Sequence, residues 1–179
     1  MITIEYKYLK NLSKTEITLM NRARIDNFGK NETKDWKKEY LSNSIAFFVK
    51  SNSKIVSFLV LIPITINYLR KRYNVLGICS VISIDKGKGY ALLLIDSVLS
   101  YIKKTKKSAL GFTTKTEFFK KAGLEVKKGL IKRFIYIDPI TKNKIKDDIG
   151  DGIFYNGKDN FIKKVLSTKS KVIIPILHW

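Results

Sequence analysis

Residues Ile82 to Val98 read "ISIDKGKGYALLLIDSV". Apolar, strand-like residues lead into a glycine pair flanked by lysines, and then into an apolar repeat. Ala91, Ile95, Val98, Leu99 and Ile102 recur at i, i+4, i+7, i+8 and i+11, which puts them on one stripe of a helix. Lys103 and Lys104 close the repeat, favourably placed at the negative end of the helix dipole. Gly87 and Gly89 therefore lie between a strand and the start of an amphipathic helix. Backbone N–H groups at a helix start have no internal acceptor, and the dipole adds partial positive charge there; a phosphate satisfies both. Glycine lets such a ligand approach the backbone and permits φ > 0.

Outward from this segment, the chain alternates strand and helix signals. Ile2 to Leu9 reads as a strand. Ser13 and Glu16 have capping-box spacing and open a helix that runs to about Phe28 and stops at Gly29. "NETKDWKKEYL" predicts a second, short helix, with Trp36, Tyr40 and Leu41 on one face. Ile45 to Val49 and Ile55 to Ile62 form a hairpin across "KSNSK", and Leu76 to Ile84 is a further strand. After the central helix, Ala109 to Thr113 is a strand. Thr114 and Glu117 have capping-box spacing for a helix closed by Gly123. Leu130 to Ile137 is a late strand, Asp138 to Asn160 a hydrophilic, Asp/Gly-rich surface excursion, and Val172 to Leu177 a last strand. These elements predict one mixed α/β domain over residues 1–179, with its core in 2–137 and an Asp-rich excursion and terminal strand in 138–179.

Composition bounds the function. The chain has 179 residues, 45% of them hydrophobic, which suits a folded core of ordinary size. Met1 to Lys10 lacks the apolar block of a signal peptide, and the longest apolar run, Ile55 to Ile66, is broken by Ser57, Pro63 and Thr65. A soluble cytoplasmic protein is expected. Cys79 is the single cysteine, which excludes an intrachain disulfide and a thiolate metal cluster; on its apolar strand it reads as an inert buried thiol. The formal net charge is +20, carried by 30 lysines and 5 arginines dispersed in ones and twos. Two readings fit this pattern, a generic solvated basic surface and a surface for an anionic partner. Aromatics are not interleaved with arginine as on a single-strand-binding face, which argues against nucleic acid as the partner.

The glycine spacing selects among phosphate motifs. A P-loop needs G-x-x-x-x-G-K-[ST], which is absent. A dinucleotide fingerprint needs a third glycine where Leu92 stands. What fits is Gln/Arg-x-x-Gly-x-Gly/Ala, here Lys86-Gly87-Lys88-Gly89-Tyr90-Ala91, with lysine in place of the usual first residue. In this loop, in "GYALLLIDSVLSYIKK" and in "TEFFKKAGLEV" (Thr116 to Val126), the chain resembles the GNAT acetyltransferases. The resemblance covers roughly residues 2 to 137. It implies a mixed, mostly antiparallel sheet flanked by helices, with parallel strands splayed around a coenzyme site. It further implies acetyl-CoA as cofactor, with backbone contacts from Val81, Ile82, Ser83 and Ile84. Lys86, Gly87, Lys88, Gly89, Tyr90 and Ala91 would cradle the phosphates.

Acid–base groups fit the family less well. Many members protonate the leaving thiolate with a tyrosine, where this chain has Phe119, which has no proton to give. Many use a carboxylate on the central strand, where this chain has Cys79, Ser80 and Ser83. Ser80 can hold a water but is a poor base, and His178, the only histidine, titrates near neutrality. Ser80 and His178 are the catalytic candidates.

Within the family, the chain looks similar to the aminoglycoside 2'-N-acetyltransferase branch. Thr33-Lys34-Asp35-Trp36, "DDIGDGIFYNG" from Asp147 to Gly157, and the final Trp179 carry that likeness. It implies substrate contacts from Asp35, Asp147, Asp148, Asp151 and Trp179. A polycationic drug would nevertheless be repelled at long range by a +20 protein. Three readings stay open. The first is acetyl transfer to a small amine, an amino sugar among the acceptors. The second draws on a longer acyl-CoA or on acyl-carrier protein, whose acidity suits this surface. The third is a non-catalytic domain that binds coenzyme A or an anionic partner.

Overall fold

The computed structural model describes residues 1–38, 42–138 and 141–176. The chain divides into two compact units. The first comprises Met1–Ile62 and Cys79–Val98; the second comprises Pro63–Ile78 and the chain from Leu99 onward. The mixed sheet of antiparallel and parallel strands, flanked by helices, is the architecture the sequence predicts.

In the first unit, β1 (Ile2–Tyr8) pairs antiparallel with β2 (Ile45–Ser51), from Ile2↔Ser51 to Tyr8↔Ile45. Strand β2 pairs in turn with β3 (Lys54–Tyr68), from Ser51↔Lys54 to Ile45↔Leu61, and β4 (Lys71–Ser83) follows β3 in the sheet. The β2–β3 turn has Asn52 at φ 48° and Ser53 at φ 65°. Two residues with positive φ make a type I′ turn, whose twist matches the strands it joins. Strand β3 runs past Pro63 although the sequence reading stops at Ile62. The β2 ladder ends at Leu61, so proline's missing N–H costs no bond to that strand.

Helix α1 (Lys14–Phe28) begins and ends where the sequence predicts. Ser13 Oγ accepts from the Glu16 amide at 3.1 Å, and Glu16 Oε2 accepts from the Ser13 amide at 2.8 Å. Gly29, at φ 116°, closes the helix with its N–H on the Ile25 carbonyl. Burial pushes the Glu16 carboxyl up, but the Lys7 ammonium at 2.6 Å and the Ser13 bonds outweigh it and hold the group below its ordinary value. The short helix predicted over "NETKDWKKEYL" is corrected. Among its described residues, 31–38, the backbone makes turns only; Tyr40 and Leu41 lie outside the described residues. Tertiary bonds take the place of helical ones there. Asn21 bonds both backbone groups of Lys34 at 3.0 Å and accepts from Trp36 Nε1 at 2.9 Å, which fixes the segment on α1 with Trp36 fully buried.

Helix α2 (Tyr90–Thr105) buries Leu94, Ile95, Val98, Leu99 and Ile102, the expected stripe with Leu94 added and Ala91 only half-buried. In the second unit, β4 pairs parallel with β5 (Ala109–Thr113) at Leu76↔Ala109 and Gly77↔Leu110. Gly111 is required here because a Cβ would stand 2.7 Å from the Ile78 carbonyl oxygen. Helix α3 (Thr116–Lys121) starts without the Thr114 capping box. Its N-cap is Lys115, whose amide donates to Thr113 Oγ1 at 3.0 Å. Strand β6 (Glu125–Lys127) follows. The strand predicted from Leu130 begins as a 3-10 turn, Leu130–Arg133, and only Phe134–Ile137 extends as β7.

The region predicted as a surface excursion is also corrected. It holds β8 (Lys144–Ile145) and β9 (Asp151–Tyr155), and β9 sits between β5 and β6, antiparallel to both, with Ile153 and Phe154 buried. Helix α4 (Phe161–Leu166) has no counterpart in the sequence reading. Strand β10 (Val172–Ile174) pairs parallel with β7, which pairs antiparallel with β8.

Candidate functional site

Both glycines of the loop that leads into α2 take positive φ. Gly87 stands at φ 80° and Gly89 at φ 75°, so both occupy the left-handed region that side chains resist. A Cβ at either would meet nothing within 4 Å, so the space over the loop is open. Gly89 caps α2: its carbonyl accepts from Leu92 at 3.0 Å and Leu93 at 3.2 Å. Among the described residues, the N–H groups of Gly87, Lys88, Gly89, Tyr90 and Ala91 have no protein acceptor within bonding distance. Five consecutive amides at the positive end of a helix dipole are thus left as donors without a protein partner. Lys86 and Lys88 flank it, and Lys88 stands 3.3 Å from Asp85 at the exposed rim.

The end of β4 leads directly into this loop. Its buried run ends at Ser80, which adopts φ 50° inside a strand. Ser80 and Val81 are both half-buried, whereas Leu76 to Cys79 are all buried. A left-handed residue departs from extended strand geometry and bends the backbone locally. Ile82 packs inward and its carbonyl accepts from buried Ser57 at 2.9 Å, while Ser83 Oγ donates to the Asp85 carbonyl at 3.0 Å. Ile84 and Asp85 are anchored through their amides to the Val56 carbonyl.

Arg24, which the sequence reading passed over, holds Ser80 in place. It is buried, and its guanidinium donates to Ser80 Oγ at 2.5 Å, to the Glu32 carbonyl at 2.7 Å and to Glu32 Oε2 at 2.6 Å. It also lies over the Trp36 ring at 5.8 Å and the Phe28 ring at 5.2 Å. An arginine in a chain with 30 lysines and 5 arginines was the available signal, because only the planar fork can make all these contacts at once. Removing a charged donor from such a set costs about 1.5–3 kcal/mol per bond. Arg24→Met loses three such bonds and is therefore expected to lower the melting temperature by roughly 9 °C or more, using 2–4 °C per kcal/mol at this chain size, with a shift in tryptophan emission. An unchanged melt would mean that Arg24 is not seated on Ser80.

Cys79 is fully buried. Burial pushes its thiol up to about 12, so it stays protonated and is no nucleophile, as the sequence predicts. Phe119 is buried in α3 against Phe118, with ring centroids 5.1 Å apart, and is a packing residue.

The predicted substrate residues divide between the units. Asp35, in the first, is exposed and stands 3.5 Å from Lys38. Asp147, Asp148 and Asp151 belong to the second. Asp148 is exposed, Asp147 Oδ1 accepts from the Ile149 amide at 3.1 Å, and Asp151 Oδ1 accepts from the Gly129 amide at 2.7 Å. Gly129 is at φ 65°, so Asp151 already has a structural duty in holding that turn. His178 and Trp179 lie outside the described residues.

Solved structures share this architecture. The chain is similar to the Escherichia coli GNAT family N-acetyltransferase YhbS in complex with CoA, at TM-score 0.62 and 10% identity, over 97% of this chain and 89% of that one. It is similar to an acyl-CoA N-acyltransferase from Pseudomonas aeruginosa, at TM-score 0.57 and 10% identity, over 86% of this chain and 99% of that one. A probable N-acyltransferase from Enterococcus faecalis matches at TM-score 0.56 and 22% identity over 70% of this chain; the match spans only 33% of that longer protein. No family model and no curated protein matches the sequence. The chain has the fold of the GNAT N-acetyltransferases. Among the described residues, no helix is long and apolar enough to cross a membrane.

Proposed function

We propose that this chain is an N-acyltransferase that takes its acyl group from acetyl-CoA. The observation that carries the reading is the segment Lys86–Ala91: two left-handed glycines and five amides without acceptors, running from the loop after β4 into the first turn of α2. The coenzyme, when bound, supplies an acyl thioester. The loop amides with Lys86 and Lys88 would hold its pyrophosphate. Backbone groups of Val81, Ile82, Ser83 and Ile84, just after the left-handed Ser80, would hold the arm that carries the acyl group.

Ser80 is a positioning donor rather than a base. Its oxygen already accepts from Arg24, so its own O–H is left to orient an acceptor or a water. A hydroxyl bonded to a guanidinium takes up a proton poorly. An amine acceptor would lose its proton to water or to His178. A small amine with an anionic or neutral body suits the +20 surface, and amino sugars of low charge fall in this class. The substrate contacts that the resemblance implies are Asp35, Asp147, Asp148 and Trp179, while Asp151 already accepts from the Gly129 amide.

A second donor class has a specific observation in its favour. Ile84, Leu92 and Leu93 are exposed beside Lys86 and Lys88, a basic and apolar surface that fits an acidic carrier protein.

Calorimetric titration with acetyl-CoA and desulfo-CoA tests the reading, followed by thiol release with a panel of amines. Micromolar binding of both compounds is expected. Binding without thiol release would leave a non-catalytic coenzyme-binding domain. No binding of either would remove acetyl-CoA and turn the search to acyl-carrier protein.

A further inference from the structure

We propose that β1 is a docking edge for a second copy of this chain, paired antiparallel β1 to β1 with Tyr6 facing Tyr6 of the copy. Strand β1 ends the sheet order, and its far side meets no strand among the described residues. The Asn52 amide donates to the Met1 carbonyl at 3.0 Å and the Leu9 amide to the Ser44 carbonyl at 2.9 Å. Odd-numbered residues of β1 thus turn their backbone groups toward β2. In an antiparallel ladder the alternate residues turn theirs the other way. Ile2, Ile4, Tyr6 and Tyr8 therefore direct N–H and C=O outward.

The same four residues carry apolar side chains on one face, and these are 52%, 43%, 56% and 43% exposed. Their cross-strand neighbours Val49, Phe47 and Ile45 are buried, so the apolar face runs out to the edge of the sheet and stops there. Natural edges of this kind carry a proline, a bulge or an inward charge against unwanted pairing. This face of β1 has no charge and no proline.

Backbone and charge together fix the register. Outward residues must face outward residues, so even positions pair with even positions. Placing Ile4 opposite Tyr6 sets Glu5 against Glu5 of the copy, which is repulsive. Placing Ile4 opposite Ile4 leaves Glu5 against Thr3. Placing Tyr6 opposite Tyr6 sets Glu5 against Lys7 twice, once on each side of the two-fold axis, in addition to the pairs Glu5 makes with Lys50 at 2.5 Å and Lys7 with Glu16 at 2.6 Å. Opposite charges directly across a ladder stabilise it. The surface is thus complementary to itself, which points to a second copy rather than to a foreign strand, and a two-fold pair closes without leaving a further β1 edge.

One strand per copy makes a small interface, at or below about 1,200 Å², so a micromolar dissociation constant is expected. Two copies at +20 each repel, and added salt should therefore tighten the pair. Sedimentation equilibrium to about 100-fold above a micromolar constant is expected to show a rise from 20.6 kDa toward twice that mass, larger in salt. A single 20.6 kDa species at every concentration and salt level would overturn the proposal. Ile4→Pro removes only an outward N–H, leaves the ladder to β2 intact and is expected to be monomeric; a dimer that survives it would overturn β1 as the interface. If that variant fails to fold, cysteines decide. Facing residues in a hydrogen-bonded pair stand about 5.5 Å apart at Cα, within disulfide reach. Tyr6→Cys is expected to cross-link on oxidation and Ile4→Cys, offset from its own copy, is not. Equal cross-linking of the two would overturn the register and the proposal with it.

Discussion

Gly89→Glu is expected to weaken acetyl-CoA binding by about 100-fold or more while the protein stays folded. The two halves of that expectation have separate causes. A Cβ at Gly89 meets nothing within 4 Å, so the new side chain has room and does not disturb packing. Its backbone cost is that of an ordinary residue at φ 75°, about 1–2 kcal/mol in the left-handed region. The carboxylate, however, enters the space where the five amides would receive a pyrophosphate. Like charges brought together cost several kcal/mol, and each 1.4 kcal/mol is a factor of ten in affinity. Gly89→Ala separates the two effects, because it carries the backbone cost without the charge. It should bind within about tenfold of the unsubstituted protein, a difference of about 1.4 kcal/mol. Calorimetric titration of both variants, with circular dichroism for folding, gives the answer. Equal binding by Gly89→Glu and the unsubstituted protein would take the coenzyme away from this loop.

How much of this was legible in the sequence depends on where the deciding interaction lies. Helix α1 was legible because its cap is local: Ser13 and Glu16 satisfy each other within one turn, just after a strand has ended. The same spacing at Thr114 and Glu117 misled, because Thr113 Oγ1 reaches the Lys115 amide first and the helix starts beyond it. The Asn52–Ser53 turn announced itself by its residues. The β3–β4 turn did not: Leu69 at φ 48° and Arg70 at φ 62° take left-handed conformations that neither residue favours, and the long strands on either side impose them. Strand β9 was hidden by its flanks. Its sequence "DGIFY" has two fully apolar residues between aspartate, glycine and tyrosine, and it is a strand because β5 and β6 bond it on both sides. Even its glycine is tertiary, since a Cβ at Gly152 would stand 2.5 Å from Leu130 Cδ2. The glycine loop was legible as a local feature. The Arg24–Ser80 contact, 56 residues apart in the chain, was not.

Gly157→Ala is expected to destabilise the protein more than any surface glycine change, by about 3 kcal/mol or more, the upper range for overpacking a site that cannot relax. A Cβ at Gly157 would meet backbone: the Lys107 carbonyl carbon, the Ser108 amide nitrogen and, at 2.6 Å, the Lys106 carbonyl oxygen. That backbone cannot move aside, because each strand of the contact is bonded to the other. The Lys158 amide donates to the Lys106 carbonyl at 2.8 Å, and the Gly157 amide donates to Ser108 Oγ at 3.0 Å. Ser108 is fully buried; its hydroxyl donates to Asp159 Oδ1, and its amide donates to Asp159 Oδ2 at 2.8 Å. Asp159 Oδ1 also accepts from the Phe161 amide at 2.9 Å, at the start of α4. A methyl group at 157 would push apart a network whose members are buried, and buried polar groups left without partners cost about 1–3 kcal/mol each. At 2–4 °C per kcal/mol for a chain of this size, the melting temperature should fall by roughly 6–12 °C. Gly129→Ala is the control: it has φ 65° and nothing within 4 Å of its Cβ, so only the left-handed cost of about 1–2 kcal/mol applies. Thermal melts of the two variants should therefore separate steric from conformational demand, with Gly157→Ala the lower. Hydrogen exchange at the Ser108 amide should accelerate in Gly157→Ala and stay unchanged in Gly129→Ala. Equal melts would mean that the turn at 156–161 does not lie against residues 106–108.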